Sequence, residues 1–408
     1  MKKIIVSGGR SLFGEVKIGG SKNAALPVLF STLIIKGVSV IRNVPDILDV
    51  RAAISILESY GARIVRVGDT LSVDTRLCRY REPDRELVCR LRASTYLIGA
   101  SLARFGKCRL GDFGGCAFTK RPIDLHIYAA QSFGARQCDD CLECESLSPA
   151  NIVFPIRSVG ATANALILAS SIQGESTIRC YAKEPHILCL IDFLRSAGAK
   201  ITLTDTHITV FGGTLSGGEC SIIGDMIEAG TYLAAGVVTG GKVGVVGVSF
   251  SDMSAFLHAL SDMGANVAVT GDVIYASRSQ NSYRASVYAE PYPAYPTDLQ
   301  PIAAPLLASF SGGEIYDKVF PERFGYLEQL SRFGLSYHLA CGGAYIDKSR
   351  FTHATAEATD LRAGAACLLC ALCAEGESQI LSADTILRGY QSPVEKLSTL
   401  GAHVSSLL

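Results

Sequence analysis

Two glycines, a thiol and two cations form the most chemically distinctive stretch of the sequence. Cys116 directly follows Gly114 and Gly115, and Lys120 and Arg121 come shortly after it. Paired glycines give a loop the backbone freedom to open and close, and nearby cations favour the reactive thiolate form of a cysteine. The pattern predicts a mobile lid that carries chemistry at Cys116. From this stretch alone, the alternative is a surface turn with a buried, inert cysteine.

The chain has fourteen cysteines and no secretory signal, so its thiols are expected to stay reduced. Cys138, Cys141 and Cys144 have the spacing that opens an iron–sulfur motif, but no Cys-Pro completes it. A cluster or zinc site there stays open as the less favoured alternative. A second set with the same spacing lies in an apolar run and is expected to pack along one helix face. It comprises Cys367, Cys370 and Cys373. We predict neither a metal nor a cofactor.

The composition limits the partners. Lys and Arg number 38 and Asp and Glu also number 38, so no net charge attracts nucleic acid or an anionic membrane. Small molecules are the expected partners. The apolar runs are shorter than the roughly 20 residues that span a bilayer, and the first residues lack the apolar core of a signal peptide. We expect a soluble cytoplasmic protein, with two domains from its length.

A repeat organises the chain. Six times, an amphipathic helical pattern ends in an apolar residue followed by glycine, at intervals of 64 to 73 residues. A glycine in this position is typical of the left-handed residue that ends a helix. The six glycines are Gly61, Gly134, Gly198, Gly264, Gly334 and Gly401.

Each repeat also contains an earlier helix that is apolar nearly all round and is therefore expected to be buried. Short β-branched runs between the helices predict three or four strands per repeat. We predict an α/β fold with two domains of three units each. The first spans residues 21–223 and carries the lid loop at about 112–122, and the second spans 1–20 and 224–408. If equivalent helices start at the same face, their N-termini favour an anionic ligand between the halves.

Several motifs, in one order, carry a resemblance to a known family. They are Gly19 to Pro27, Gly114 to His126, Pro296-Thr297-Asp298, Thr359-Asp360-Leu361-Arg362 and Arg388-Gly389-Tyr390. Across essentially the whole chain, the sequence resembles the UDP-N-acetylglucosamine 1-carboxyvinyltransferases, which are enolpyruvyl transferases. The resemblance implies a two-domain inside-out α/β barrel built from six repeated βαβαββ-like units, three per domain.

The resemblance also implies a reaction. Enzymes of this family transfer the enolpyruvyl group of phosphoenolpyruvate to the 3-hydroxyl of UDP-N-acetylglucosamine and release phosphate, which is the first committed step of peptidoglycan synthesis. The implied partners are these two small molecules, with no cofactor, nucleic acid or membrane. Reaction of a cysteine with the epoxide antibiotic fosfomycin, an analogue of phosphoenolpyruvate, is implied as well.

Roles transfer onto matching residues. The implied catalytic residues are Cys116 as proton donor to C3 of phosphoenolpyruvate, Asp298 as base near the sugar hydroxyl, Lys22 and Arg388. For Asp298, helix capping is the competing interpretation. The implied anion-binding residues are Lys22, Arg92, Arg121, Arg323, Arg362 and Arg388. The remaining implied contacts are Asn23 to the sugar, Asp360 to substrate, and Arg121, Pro122, Ile123, Asp124, Leu125, Ser158, Val159 and Val319 to the nucleotide.

The sequence departs from the family pattern at positions outside the chemical core. These are Phe113, Ile156, His186, Met226 and Leu387. The departures keep one alternative open, a divergent inactive or regulatory paralogue. A second alternative is the related enzyme that acts on shikimate 3-phosphate. The residues after Lys22, Asn23-Ala24-Ala25-Leu26, lack the Ser and Arg that would hold the shikimate phosphate.

Overall fold

The structure, a computed structural model, describes residues 2–111, 113–114 and 122–407. Cys116, Lys120 and Arg121, on which several predictions depend, lie outside these residues. The described chain divides into two compact units, one of residues 2–19 and 224–407 and one of residues 20–223 with the gaps just given. Among the described residues, no helix is both long and apolar enough to cross a membrane.

Thirteen α-helices form in the described residues. They are α1 Lys22–Ser31, α2 Leu48–Ser59, α3 Arg85–Arg90, α4 Leu97–Phe105, α5 Asp124–Ser132, α6 Val159–Ser171, α7 Pro185–Ser196, α8 Met226–Val238, α9 Phe250–Met263, α10 Gln300–Ser309, α11 Tyr326–Ser331, α12 Leu361–Cys373 and α13 Pro393–Thr399. Short 3-10 helices span Thr32–Ile34, Arg92–Tyr96, Thr297–Leu299 and Ala383–Arg388.

The described residues also form twenty-three strands. They are β1 Lys3–Gly8, β2 Phe13–Lys17, β3 Val38–Arg42, β4 Arg63–Val67, β5 Thr70–Asp74, β6 Lys107–Arg109, β7 Arg136–Cys138, β8 Cys141–Glu143, β9 Asn151–Val153, β10 Gly174–Arg179, β11 Lys200–Leu203, β12 His207–Gly212, β13 Gly218–Ser221, β14 Lys242–Val246, β15 Asn266–Thr270, β16 Val273–Ser277, β17 Ala285–Ala289, β18 Gly313–Asp317, β19 Tyr337–Ala340, β20 Gly343–Ile346, β21 Thr355–Glu357, β22 Gly376–Leu381 and β23 His403–Leu407.

The sixfold repeat is confirmed. A buried helix, a strand, a second helix and a hairpin recur along the chain, as in α6, β10, α7, β11 and β12. The buried helices are α1, α4, α6, α8, α10 and α12. All six repeat glycines lie at or just beyond the end of a second helix and have φ between 88° and 114°. Residues other than glycine are strained at such φ values. Glycine therefore allows the backbone of each repeat to turn from its second helix into its hairpin.

Each repeat builds one sheet. In residues 20–223 the strand orders are β13-β3-β5-β4, β6-β8-β7 and β11-β12-β10-β9. In the other unit they are β15-β16-β14-β2, β17-β18-β20-β19 and β21-β22-β1-β23. The N-terminal strand β1 pairs with β22 and β23, with Ile4 opposite Ile380, so the chain start completes the sheet of the last repeat.

Each unit has its own hydrophobic core beneath its sheets. Phe30, Phe133 and Phe193 are fully buried in one core. Phe256 and Phe333 are fully buried in the other, where the central helices α8, α10 and α12 pack against one another. Apolar helices surrounded by half-buried sheets explain why the first helix of each repeat shows no polar stripe. This arrangement agrees with the predicted α/β fold.

Candidate active site

A carboxylate paired with two buried arginines forms one part of the candidate site. The side chain of Asp298, in a short 3-10 helix before α10, is 27% exposed. Arg323 donates from Nη1 to its Oδ1 at 3.2 Å, and Arg362 donates from Nη2 to its Oδ2 at 2.9 Å. Both arginine side chains are nearly fully buried. Of these three side chains, Asp298 is therefore the one most exposed to solvent.

Arg362 is fixed by its own surroundings at the start of α12. Asp360 caps that helix, accepting hydrogen bonds from the backbone N–H groups of Arg362 and Ala363 at 2.7 and 3.1 Å. The Tyr390 hydroxyl lies 3.5 Å from Arg362 Nη1. Burial lowers the pKa of Arg362, but the Asp298 carboxylate raises it, and the net pKa lies above the ordinary value. Arg362 is thus a permanent cation.

Asp360 also faces Arg323, whose Nη2 lies 4.0 Å from Asp360 Oδ1. Arg323 donates a further hydrogen bond to the carbonyl of Thr297 at 3.1 Å. The residues Asp298, Arg323, Asp360 and Arg362 therefore form one connected group, which we call the Asp298 cluster. It alternates two anions with two cations, so each buried charge has an opposite charge beside it.

A second carboxylate, that of Asp317, supports this cluster through a hydrogen bond to Thr297. Asp317 ends β18 and accepts hydrogen bonds from the amides of Val319 and Phe320 at 2.9 and 2.8 Å and from the Thr297 hydroxyl at 2.6 Å. Burial raises the pKa of Asp317. The contacts tie Val319, predicted for the nucleotide pocket, to the turn that carries Asp298.

Side-chain capping recurs at the starts of the buried helices. Asp225 accepts from the amides of Ile227 and Glu228 at the start of α8, and Ser158 accepts from the Ala161 amide at the start of α6. The residue before the 3-10 helix of Asp298 is Pro296, and it makes no side-chain capping hydrogen bond. The hydrogen bonds described for the Asp298 carboxylate come from two arginines.

In the unit of residues 20–223, Lys22 begins α1, and Asn23 follows it at a partly exposed position. Lys22 Nζ lies 3.3 Å from Asp49 Oδ2, where the lysine side chain is 17% and the aspartate side chain 7% exposed. The amine is therefore accessible but held in place by a buried carboxylate.

Residues 122–125 lead into α5. Arg92, at the start of another 3-10 helix, donates from Nη2 to the Pro122 carbonyl at 3.3 Å. Pro122 and Asp124 are exposed, and Ile123 and Leu125 are partly buried. Two predicted nucleotide-pocket residues of α6, Ser158 and Val159, are partly exposed at its first turn. Arg92 and residues 122–125 are thus brought together within this unit.

A buried histidine lies beneath this region. His126 Nδ1 is 2.7 Å from Asn164 Nδ2, and Asn164 Oδ1 accepts from the Gly99 amide at 2.7 Å. A side chain on Gly160 would collide with the His126 ring, so glycine is required for this close approach. Burial, and then the charge of Arg92, lower the pKa of His126 from 6.5 to about 4. His126 is neutral at pH 7 and has a structural role.

His126 should therefore make stability dependent on pH. Its folded-state pKa is lower than its unfolded value, so the stabilisation is complete above the unfolded value near 6.5 and is lost as the pH falls towards about 4. Between pH 7 and 5 we expect this unit to lose about 2 kcal/mol of unfolding free energy. Denaturant titrations of the wild type and His126→Gln at both pH values measure it. An equal pH dependence in the variant would contradict the assignment.

The other predicted residues fall into two groups. Arg388 ends a 3-10 helix and is partly buried. Cys116 and Arg121 lie outside the described residues. Just before them, Gly114 donates its amide to the Val88 carbonyl at 3.3 Å, and a side chain on Gly114 would collide with the Cys89 backbone. Within the described part of the chain, no group of three His, Cys, Asp or Glu residues could hold a metal ion.

Sequence reasoning missed the partners of its site residues. Asp49 and Asp317 are buried carboxylates that position Lys22 and Thr297, and neither belongs to a recognised motif. A weak signal existed for Asp49, an acidic residue in the first turn of an otherwise apolar helix face. The Tyr390 contact to Arg362 could have been suspected only from the Arg388-Gly389-Tyr390 motif.

Fold and charged groups together define a class of protein. The family model described as EPSP synthase (3-phosphoshikimate 1-carboxyvinyltransferase) matches residues 6–397. The chain therefore belongs to this family of enolpyruvyl transferases.

Curated relatives are more specific. The chain is similar to proteins named UDP-N-acetylglucosamine 1-carboxyvinyltransferase in three bacteria. Identity is 38% with the protein of Chlorobaculum parvum, over 99% of this chain and 98% of that protein. It is 37% with protein 3 of Caldanaerobacter subterraneus subsp. tengcongensis and 35% with protein 1 of Streptococcus agalactiae serotype Ia, each over 99% of both chains.

Solved structures agree on the fold. The enolpyruvyl transferase NikO from Streptomyces tendae superposes with a TM-score of 0.90 at 25% identity, covering 100% of this chain and 99% of that one. EPSP synthase from Acinetobacter baumannii superposes with a TM-score of 0.72 at 16% identity, covering all of both chains, and shows the fold alone.

Proposed function

We propose that this chain transfers the enolpyruvyl group of phosphoenolpyruvate to the 3-hydroxyl of UDP-N-acetylglucosamine, releasing phosphate, as the first committed step of peptidoglycan synthesis. Its expected location is the cytoplasm. The observation that carries the proposal is the identity of 35–38%, over nearly the full chain, to proteins that bear the name of this activity. The Asp298 cluster supports it, because it presents one accessible carboxylate backed by two permanent cations.

The reaction needs a base and fixed positive charge. Asp298 takes the proton of the attacking sugar hydroxyl, and Arg323 and Arg362 orient its carboxylate through their hydrogen bonds. Each guanidinium carries five N–H donors, so it can hold a carboxylate and an anionic ligand at once. Together with Lys22, Arg92, Arg121 and Arg388, they neutralise the phosphate and carboxylate of phosphoenolpyruvate.

The bond changes follow in order. The sugar oxygen attacks C2 of phosphoenolpyruvate while Cys116 donates a proton to C3, which gives a tetrahedral ketal. The Cys116 thiolate then takes a proton back from C3, the C2–O bond to phosphate breaks so that phosphate leaves, and the enolpyruvyl double bond forms again. Asn23 holds the sugar, Asp360 contacts substrate, and the nucleotide is held by Arg121, Pro122, Ile123, Asp124, Leu125, Ser158, Val159 and Val319.

The two domains of the proposal are residues 21–223, with the loop of Cys116, and residues 1–20 and 224–408. Their compact units each have a separate core and three sheets. The proposed catalytic groups are distributed over both, with Lys22 and Cys116 in the first and Asp298 and Arg388 in the second.

A phosphate-release assay tests the proposal. The purified chain should release phosphate only when phosphoenolpyruvate and UDP-N-acetylglucosamine are both present, and mass spectrometry should detect the enolpyruvyl sugar nucleotide. A parallel reaction with shikimate 3-phosphate tests the activity named in the family description. If phosphate is released with phosphoenolpyruvate and shikimate 3-phosphate but not with phosphoenolpyruvate and UDP-N-acetylglucosamine, shikimate 3-phosphate is the acceptor. No release with either acceptor from a folded chain would favour an inactive or regulatory paralogue.

A further inference from the structure

A pair of cysteines lies directly across a two-residue turn on the surface. Strands β7 and β8 form an antiparallel hairpin in which Cys138 is opposite Cys141, with Asp139 and Asp140 between them. Cys138 is exposed and Cys141 partly exposed. Opposite residues in antiparallel strands have Cα atoms about 4.5 to 5.5 Å apart, within the roughly 4.4 to 6.8 Å that a disulfide spans.

The register places both thiols on one face. Successive strand residues alternate between faces, so Cys141 shares its face with Arg109, which is opposite it on β6. The other face carries the buried Cys108 and Leu142, which are also opposite each other. Cys144 lies beyond β8, where its thiol donates to the Ser146 carbonyl at 2.9 Å. Cys138 and Cys141 therefore form a pair that does not extend to Cys144, and this does not favour the alternative of one ligand set made of the three cysteines.

The turn that joins the pair is held in shape. The Asp140 carbonyl accepts the Leu110 amide at 2.5 Å, and its carboxylate accepts from Arg109 Nε at 2.9 Å. Arg109 also pairs with Glu82 at 2.7 Å. These contacts restrain the backbone between the two cysteines, so the thiols are held as neighbours before any bond forms. Such pre-organisation lowers the entropy cost of ring closure.

We propose that Cys138 and Cys141 are a dithiol site that reacts with low-molecular-weight disulfides and closes to an internal disulfide. Cys138, the more exposed sulfur, attacks one sulfur of the small disulfide as thiolate. The S–S bond breaks, and one small thiol leaves with a proton. Cys141 then attacks Cys138 Sγ, and the second small thiol leaves. The protein dithiol is oxidised by two electrons and the small disulfide is reduced to two thiols.

The order of attack follows from the surroundings. Burial and a hydrogen bond to Asp140 raise the pKa of the Cys141 thiol, which leaves a smaller fraction of it as thiolate. Cys141 is therefore the resolving thiol. A Cys-x-x-Cys spacing suits this chemistry because the second thiol acts on the mixed disulfide at an effective concentration in or above the millimolar range. Neither cysteine is one of the proposed transferase residues.

The test uses the whole chain and bis(2-hydroxyethyl) disulfide, a neutral probe whose reaction does not depend on charge attraction. The peptide that contains both cysteines should lose two hydrogens and carry no adduct. At about 1 mM probe, the internal disulfide should exceed the mixed disulfide on Cys138 by about tenfold or more. Dithiothreitol should restore both thiols. Peptide mass spectrometry after acid quenching measures each species.

Two comparisons make the result decisive. In Cys141→Ser, the hydroxyethylthio group should remain on Cys138. Cys341 is the matched control, because it is an exposed cysteine in the turn between β19 and β20 and should accumulate only the mixed disulfide. If wild-type Cys138 keeps the adduct as Cys341 does, or stays unreacted while Cys341 reacts, the proposed dithiol site is wrong. Neither result depends on transferase activity.

Discussion

Turnover should be lost in Cys116→Ala and retained at a reduced level in Cys116→Asp. The proposed reaction needs a proton delivered to C3 of phosphoenolpyruvate, and a carboxylic acid can deliver one where a methyl group cannot. Loss of a general acid lowers turnover by about 10² to 10⁴-fold. Steady-state phosphate release with both substrates measures it. Full activity in Cys116→Ala would remove Cys116 from the mechanism.

The same residue should react with fosfomycin. A thiolate opens the epoxide and forms a stable thioether, whereas the carboxylate of Cys116→Asp is a poor nucleophile for this step. We expect one adduct per chain on Cys116, formed faster with UDP-N-acetylglucosamine present, and a resistant Cys116→Asp. Cys138 and Cys341 are internal controls because they are exposed thiols outside the proposed site. An adduct on either of them in place of Cys116 would contradict the prediction.

Gly114, which is described in the structure and precedes Cys116 by two residues, allows an independent test of this loop. Gly114 has no space for a side chain because of the Cys89 backbone. Gly114→Ala must therefore shift the backbone that leads to Cys116. Turnover should fall without loss of the thiol. The rate of fosfomycin labelling distinguishes the two variants. Gly114→Ala keeps Cys116 in a displaced position and should still be labelled there, whereas Cys116→Ala should not.

The fold was predictable from local signals. Gly61 and the five glycines that match it end helices in the left-handed conformation, and this conformation strongly favours one residue type. Runs that are apolar nearly all round identified the buried helices, because a helix surrounded by sheets has no polar face. From the sequence, residues 1–20 were assigned to the second domain, but the choice of a sheet partner for β1 stayed open. That choice depends on a register between Ile4 and Ile380, far apart in sequence, which no local pattern encodes.

The site was predictable only in part, for a related reason. The family resemblance identifies Asp298, Arg323 and Arg362 one by one, but their ion pairs join residues 25 and 64 positions apart. Hydrogen bonds at this separation depend on how α10, α12 and the segment after β18 pack. The supporting carboxylates Asp49 and Asp317 lie outside the motifs. The sequence thus indicated which groups act but not which groups hold them.

Asp298→Asn should lower turnover by about 10² to 10⁴-fold, since the amide keeps the shape of the side chain but cannot accept the sugar proton. The change should also cost stability, because the variant leaves Arg323 and Arg362, both buried, without the carboxylate that faces them. Removing one partner of a buried ion pair costs about 3 to 5 kcal/mol, and the partial exposure of Asp298 places this loss near the lower limit. Denaturant titration measures it.

A control must separate chemistry from stability, and Asp317→Asn provides it. This variant makes the same carboxylate-to-amide change on a buried residue that contacts Thr297, next to Asp298. Asp317 accepts hydrogen bonds from Thr297, Val319 and Phe320, and it interacts with Arg323 only through the charge. Both variants should lose stability, and at a temperature where each is folded by circular dichroism only Asp298→Asn should lose turnover by more than about 10²-fold. A substitution at Arg362 tests the role of the cations. Arg362→Lys keeps the positive charge but loses the paired N–H donors, so the KM for phosphoenolpyruvate should rise by a larger factor than kcat falls. Equal losses of turnover in Asp298→Asn and Asp317→Asn would mean that Asp298 supports the arginines and is not the base.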